Sequence, residues 1–157
     1  MATVKPIPDG YNTLTPYLIV PDGPAAMAFY TKAFGAVERL KLVRPDGKFG
    51  HAEMQIGDSV IMFADEHPDH HAHAPGHFGG SPVSLHLYVE DVDAVYARAV
   101  AAGATATRPI ENMFYGDRGG GVTDPFGHVW HLATHIEDVS EEEIGRRAAA
   151  LMGGKPS

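Results

Sequence analysis

The amino-acid sequence predicts an α+β fold made of two paired β-α-β-β-β modules that enclose a cleft, followed by a C-terminal helix. Three observations predict it. The order strand, helix, strand, strand, strand occurs twice; the two helical segments are alike in length and each runs into a glycine, Gly35 or Gly103; and one polar stretch separates the copies. Neither copy alone offers a comfortable core at its size, so the two are expected to pair their sheets. A cleft between paired modules is where a ligand is expected.

The first module is placed at 11–65. Residues 14–20 (LTPYLIV) are apolar and β-branched enough for a strand, which Pro16 confines to a sheet edge or to the strand's start. A helix follows, with Pro24 near its first turn, apolar spacing through Ala25, Ala26, Met27, Phe29, Tyr30, Ala33 and Phe34, and Gly35 as its stop. Strands are predicted at 36–44, 50–56 and 59–65, separated by turns at Pro45-Asp46-Gly47 and Gly57-Asp58.

Residues 66–82 form a linker rich in His, Gly and Pro. It holds His67, His70, His71, His73 and His77, five of the ten histidines. A structural metal site needs ligands held at defined spacing by a turn or helix, and two prolines, a glycine and alternating alanines offer no regular frame. The stretch is therefore read as an exposed polar linker that can also act as a lid.

The second module is placed at 83–136. A strand at 83–89 precedes a helix capped by Asp91 or Asp93 and carrying Val92, Val95, Tyr96, Ala99 and Val100. Strands are predicted at 104–110, 118–123 and 128–134, the last after a turn at Asp124-Pro-Phe-Gly127. The remainder, 137–157, is a helix from about Val139 to Leu151 and a tail. Acids early and bases late in that helix suit its dipole, so Arg146 and Arg147 are read as part of a solvated face.

Composition narrows the function classes. The net charge of -8 without a Lys/Arg cluster argues against nucleic acid as a partner. No apolar run approaches the ~18 residues needed to cross a bilayer. Zero cysteines remove thiolate ligands, cysteine nucleophiles and disulfides. The N-terminus lacks the basic-then-apolar order of a secretory signal, so the expected location is the cytoplasm.

The repeated module, with FYTKAFG at 29–35 ending the first helix and DPFGH at 124–128 before the last strand, resembles the vicinal oxygen chelate (glyoxalase/bleomycin-resistance/dioxygenase) superfamily. The resemblance runs over residues 11 to 140 or so. TPYL at 15–18, HAE at 51–53, LHLYVED at 85–91, FYGDR at 114–118 and ATHIED at 133–138 are similar to its PhnB-like branch. The resemblance implies the glyoxalase/bleomycin-resistance fold, commonly in a homodimer that can exchange modules between chains. Metal-dependent members place a ligand on the first strand of each module and a Glu on a last strand, leaving positions open for a substrate with adjacent oxygens. Carried over, those positions fall on Thr15, Ser84 and His131. Two of the three are hydroxyls, poor ligands for a divalent transition metal.

The expected site follows. His51, Glu53 and His131 are the candidate catalytic groups: the first two alternate with Ala52 and Met54 and so share one strand face as an acid/base couple. His86, Tyr115, Arg118, Ser84 and Thr15 are the candidate ligand-binding groups, Arg118 as a bidentate clamp and Tyr115 as a hydroxyl and a stacking face. No cofactor is assigned; the alternative is a divalent metal (Zn, Ni, Mn or Fe) on His51, Glu53, His86 and His131. His128 is read as a cap or surface residue, and His135 has no assigned role. Binding of a small organic molecule in the cleft is the expected function, and a metal-dependent lyase, isomerase or dioxygenase of glyoxalase type is the alternative.

Overall fold

The computed structural model describes residues 3–153. Strand β1 (Tyr17–Val20) leads into helix α1 (Gly23–Phe34), then β2 (Val37–Val43), β3 (Phe49–Ile56) and β4 (Ser59–Asp65). The second module repeats this as β5 (Ser84–Tyr88), α2 (Val92–Ala101), β6 (Thr105–Asn112), β7 (Asp117–Thr123) and β8 (Val129–His135), and α3 (Glu141–Gly153) follows. Each module forms one four-stranded mixed sheet, ordered β1-β4-β3-β2 and β5-β8-β7-β6, with the first strand parallel to the last and the other pairs antiparallel.

Local chemistry sets the boundaries. β1 starts only after Pro16, whose carbonyl still accepts from Met62 N, and it is an edge strand, where a missing N–H is tolerated. Asp22 caps α1 by accepting from Ala25 N at 3.0 Å, and Gly35 ends it at φ +67°, the left-handed region that glycine enters without a Cβ clash. Asp91, not Asp93, caps α2 through Ala94 N. β6 continues past Pro109 to Asn112 because it too lies on an edge. Ser140 begins α3, its Oγ accepting from Glu143 N.

The linker is more ordered than its composition suggests. Pro68–His70 and Pro75–Phe78 form single 3₁₀ turns, and His67 and Ala72 pair through their backbones. Ala74 and Pro75 are buried: Ala74 N donates to Glu66 Oε1 at 3.0 Å, and Pro75 packs so tightly on the 124–127 turn that a Cβ on Gly127 would come within 2.9 Å of it.

One hydrophobic core serves both modules. It joins Leu18, Met54, Ile61 and Phe63 of the first sheet, Val122, Trp130 and Leu132 of the second, and the inner sides of α1 and α2. Tyr30 is its hub, fully buried, with ring centroids of Phe63, Phe126 and Trp130 at 6.0, 6.0 and 5.6 Å. Its hydroxyl donates to Asp124 Oδ2 at 2.6 Å. Asp124 also accepts from Trp130 Nε1 and from the backbone of Phe126 and His128, so a buried carboxylate is satisfied from four directions. In the first module the buried Asp65, at the end of β4, accepts from Gly23 N and Phe49 N and so ties the starts of α1 and β3 to that strand.

Candidate functional site

Because side chains alternate along a strand, the residues that do not enter the core line the helix-free face of each sheet. On the second sheet these are Ser84, His86 and Tyr88 of β5, His131 and His135 of β8, and Asp117, Gly119 and Gly121 of β7. Register places His86 beside His131 and His131 beside Gly121. The two imidazoles stack with centroids 4.9 Å apart at 27°, and Tyr88 meets His86 edge-on at 4.7 Å. Gly119 leaves room for them: a Cβ there would come within 3.1 Å of His131 Nε2 and 2.7 Å of the Leu132 carbonyl. Among the described residues no hydrogen bond engages either ring, and His86 is exposed while His131 is half-buried.

Electrostatics differ along this face. Burial lowers the pKa of His131, helped by the neighbouring His86 and Arg108, so the ring stays neutral at pH 7. His135 is raised by hydrogen bonds to Asp117 (Nδ1 to Oδ1, 2.8 Å) and Asp138 (Nε2 to Oδ1, 2.8 Å). Burial pushes the Asp117 carboxyl up, but the bonds from His135 and from the Tyr88 hydroxyl (2.7 Å) outweigh it and hold the group below the usual range. The face thus carries a neutral imidazole, then a hydroxyl–carboxylate–imidazole chain.

On the first sheet His51 and Glu53 do share the helix-free face. Glu53 is only 5 % exposed because residues 10–11 cover it: the Tyr11 hydroxyl donates to Glu53 Oε2 at 2.6 Å, and Arg39 stacks over the Tyr11 ring at 4.7 Å while donating to the Gly10 carbonyl. His51 Nε2 lies 3.4 Å from Glu53 Oε1, and its Nδ1 is 2.9 Å from the Tyr17 hydroxyl.

The sequence candidates therefore fall into separate places. His86 and His131 are in contact, and His51 and Glu53 are in contact, but among the described residues no hydrogen bond, ion pair or ring contact joins the two pairs. Ser84 is exposed at the start of β5 and Thr15 half-buried just before β1. Tyr115 is half-buried against Phe114 at 5.2 Å. Arg118 stands on the opposite face from His131: it is registered with Thr134, and its Nε and Nη2 clamp Asp93 of α2 at 2.8 and 2.9 Å while Nη1 reaches Asn112. Its bidentate chemistry is spent inside the protein.

A three-ligand metal centre does not fit this donor set within one chain. Thr15 and Ser84 offer hydroxyls, Glu53 is committed to Tyr11 and His51, and His86 with His131 makes only two imidazoles. Among the described residues no group of three or more His, Asp or Glu side chains converges as a metal site, the linker histidines included. Those pair by twos, His67 with His70 at 4.2 Å and His73 with His77 at 3.8 Å.

A cavity of about 1070 Å³ runs along the free edge of β5, lined by His86, Tyr88 and His135 on one side and by the Ile56–Ser59 turn and α2 on the other. Tyr88 and His135, which line this cavity, and Asp117, which joins them, are residues the sequence does not single out. Their partners lie 18 and 29 positions apart, which no local spacing reveals. The FYGDR and ATHIED motifs, which contain Asp117 and His135, were the available signal.

Residues 10–132 match the family model described as Glyoxalase/Bleomycin resistance protein/Dioxygenase superfamily. "Uncharacterized protein Rv0887c" of Mycobacterium tuberculosis is 43% identical over 134 residues, covering 83% of this chain and 79% of its own. "Uncharacterized protein At5g48480" of Arabidopsis thaliana is 30% identical over 128 residues, 74% of each chain. Among solved structures, TioX from Micromonospora sp. ML1 superposes with a TM-score of 0.64 at 26% identity, over 80% of this chain and 99% of that one.

Proposed function

The chain belongs to the glyoxalase/bleomycin resistance/dioxygenase superfamily, and on that premise we propose that it binds a small organic molecule over the His86–His131 face. One observation carries the reading: two stacked imidazoles, unengaged by hydrogen bonds among the described residues, with His131 over Gly119 and His86 lining a cavity of about 1070 Å³. The motif resemblance supports the PhnB-like branch. Val37, Leu40, Leu42 and Val43, exposed on edge strand β2, offer an apolar surface for a second copy, so the working unit is a homodimer.

A metal-dependent lyase, isomerase or dioxygenase is the second reading, favoured by the neutral His131, which is ready to ligate. It requires the His51–Glu53 and His86–His131 pairs to converge on one ion. Elemental analysis of tag-free protein, and of a variant with the five linker histidines changed to alanine, separates the two. Metal absent from both, or lost with the linker histidines, supports the organic-ligand reading. Near-stoichiometric divalent metal retained in the variant overturns it.

A further inference from the structure

On the helix-free face of the second sheet, register sets four positions side by side across all four strands: His86 of β5, His131 of β8, Gly121 of β7 and Arg108 of β6. Gly121 puts no side chain between His131 and Arg108, and Gly119, the next β7 residue on that face, has none either. Side chains lean over this bare strand from both sides. His131 Nε2 lies 3.1 Å from where a Cβ on Gly119 would stand, while Thr107 Oγ1 and Arg108 Cβ lie 2.9 and 3.5 Å from where one on Gly121 would stand. Two consecutive residues of β6 face the same way because the register slips between Ala106 and Arg108, leaving Thr107 as the extra residue of a bulge. Arg118, Arg146 and Arg147 each clamp a carboxylate of this chain. Thr107 and Arg108 are exposed, and among the described residues neither side chain makes a hydrogen bond or ion pair. Of the nearby acids, Glu111 registers with Gly119, and Asp117 is already held by Tyr88 and His135.

From this arrangement we propose that the ligand of the His86–His131 face is a carboxylate, held over Gly119 and Gly121 by Arg108 and Thr107 from one side and by His131 from the other, with its organic body against the His86 and Tyr88 rings. A guanidinium donates two parallel N–H bonds to a planar carboxylate, a match that suits this unpaired arginine. The Thr107 hydroxyl and a ring N–H of His131 supply donors for the remaining lone pairs. Burial, then the neighbouring His86 and Arg108, lower the His131 pKa, which leaves that ring neutral with one N–H to give. Adjacent strands lie about 4.8 Å apart, so the backbones of His131 and Arg108 stand about 10 Å apart across β7, room for a carboxylate with a hydrogen bond of about 2.8 Å on either side. The inference rests on the reading that this face binds an organic molecule, and it names the class of that molecule.

The test is an NMR titration of the full chain with benzoate and with benzamide, its uncharged counterpart of similar shape, repeated on Arg108→Gln, Arg98→Gln and His131→Ala. Benzoate is expected to bind roughly tenfold or more tightly than benzamide, and Arg108→Gln to remove that preference, the usual effect of losing hydrogen bonds between charged groups. Arg98→Gln takes the same charge from α2, away from β6, and is expected to leave benzoate affinity unchanged. The ¹⁵N spectrum of each variant reports that its fold is retained. Absence of benzoate binding, benzoate bound no better than benzamide, benzoate bound equally by Arg108→Gln and the full chain, or an equal loss in Arg98→Gln overturns the proposal. Failure of the wider reading looks different. Binding that is lost in His131→Ala but ignores Arg108→Gln leaves the face a site for an uncharged ligand, whereas binding that ignores His131→Ala as well removes the face as a site.

Discussion

Tyr30 of the first module donates its hydroxyl to Asp124 of the second at 2.6 Å, deep in the shared core. The bond explains why Asp124 opens the turn before β8: one carboxylate ties that turn, the Trp130 indole and helix α1 together.

Replacing Asp124 with Ala leaves these donors buried without an acceptor and is expected to destabilise the fold by about 3–5 kcal/mol. Tyr30→Phe is expected to cost about 1–3 kcal/mol, since one buried partner is lost while Asp124 keeps its other donors. Urea unfolding of the two variants checks the order; equal losses would show that the module junction does not depend on this carboxylate.

Gly119→Ala places a Cβ against the Leu132 carbonyl at 2.7 Å. β7 must move off β8, and a loss of about 1–3 kcal/mol is expected, as for overpacking elsewhere. Chemical-shift changes spreading along β8 to His131 would accompany it; a variant as stable as the parent would place the strands farther apart than described.

The two outer histidines are expected to titrate on opposite sides of 6.5 by NMR, His131 below and His135 above. The sign for stability follows. His135 has a raised folded pKa, so its contribution is full below the unfolded value and is lost as pH rises through the folded one. His135→Asn is therefore expected to reduce stability near pH 6 and to approach the parent at alkaline pH. Loss of the same size at both ends of the range contradicts the Asp117–His135 pairing.

Arg118→Ala is expected to lower stability, because its guanidinium clamps α2 to β7, and to leave ligand binding unchanged. His131→Ala is expected to do the reverse. A thermal melt and a binding titration on both variants give the comparison, and an Arg118→Ala protein that folds normally but no longer binds would put the guanidinium in the site.

Much of the fold was legible because local chemistry determines it. Asp22 and Gly35 bracket α1, Pro16 delays β1, and the two copies of the module repeat the same apolar rhythm. The site was legible only by residue type. Arg118 is the clearest case: a single step of strand parity decides whether a side chain meets a ligand or a helix, and Asp93 lies 25 residues away. The chain Tyr88–Asp117–His135 is long-range for the same reason. Glu53 lies against His51 on one strand face, as their spacing of two allows, yet its cover by Tyr11, 42 residues upstream, has no signature in the strand itself.

Ligand-observed NMR screening of small organic acids and carbonyl compounds, against the unmodified protein and His131→Ala with and without chelator, decides whether the His86–His131 face is a binding site. A compound that binds in the presence of chelator and is lost in His131→Ala is the predicted result. Compounds that bind both proteins equally, or bind only without chelator, would contradict it.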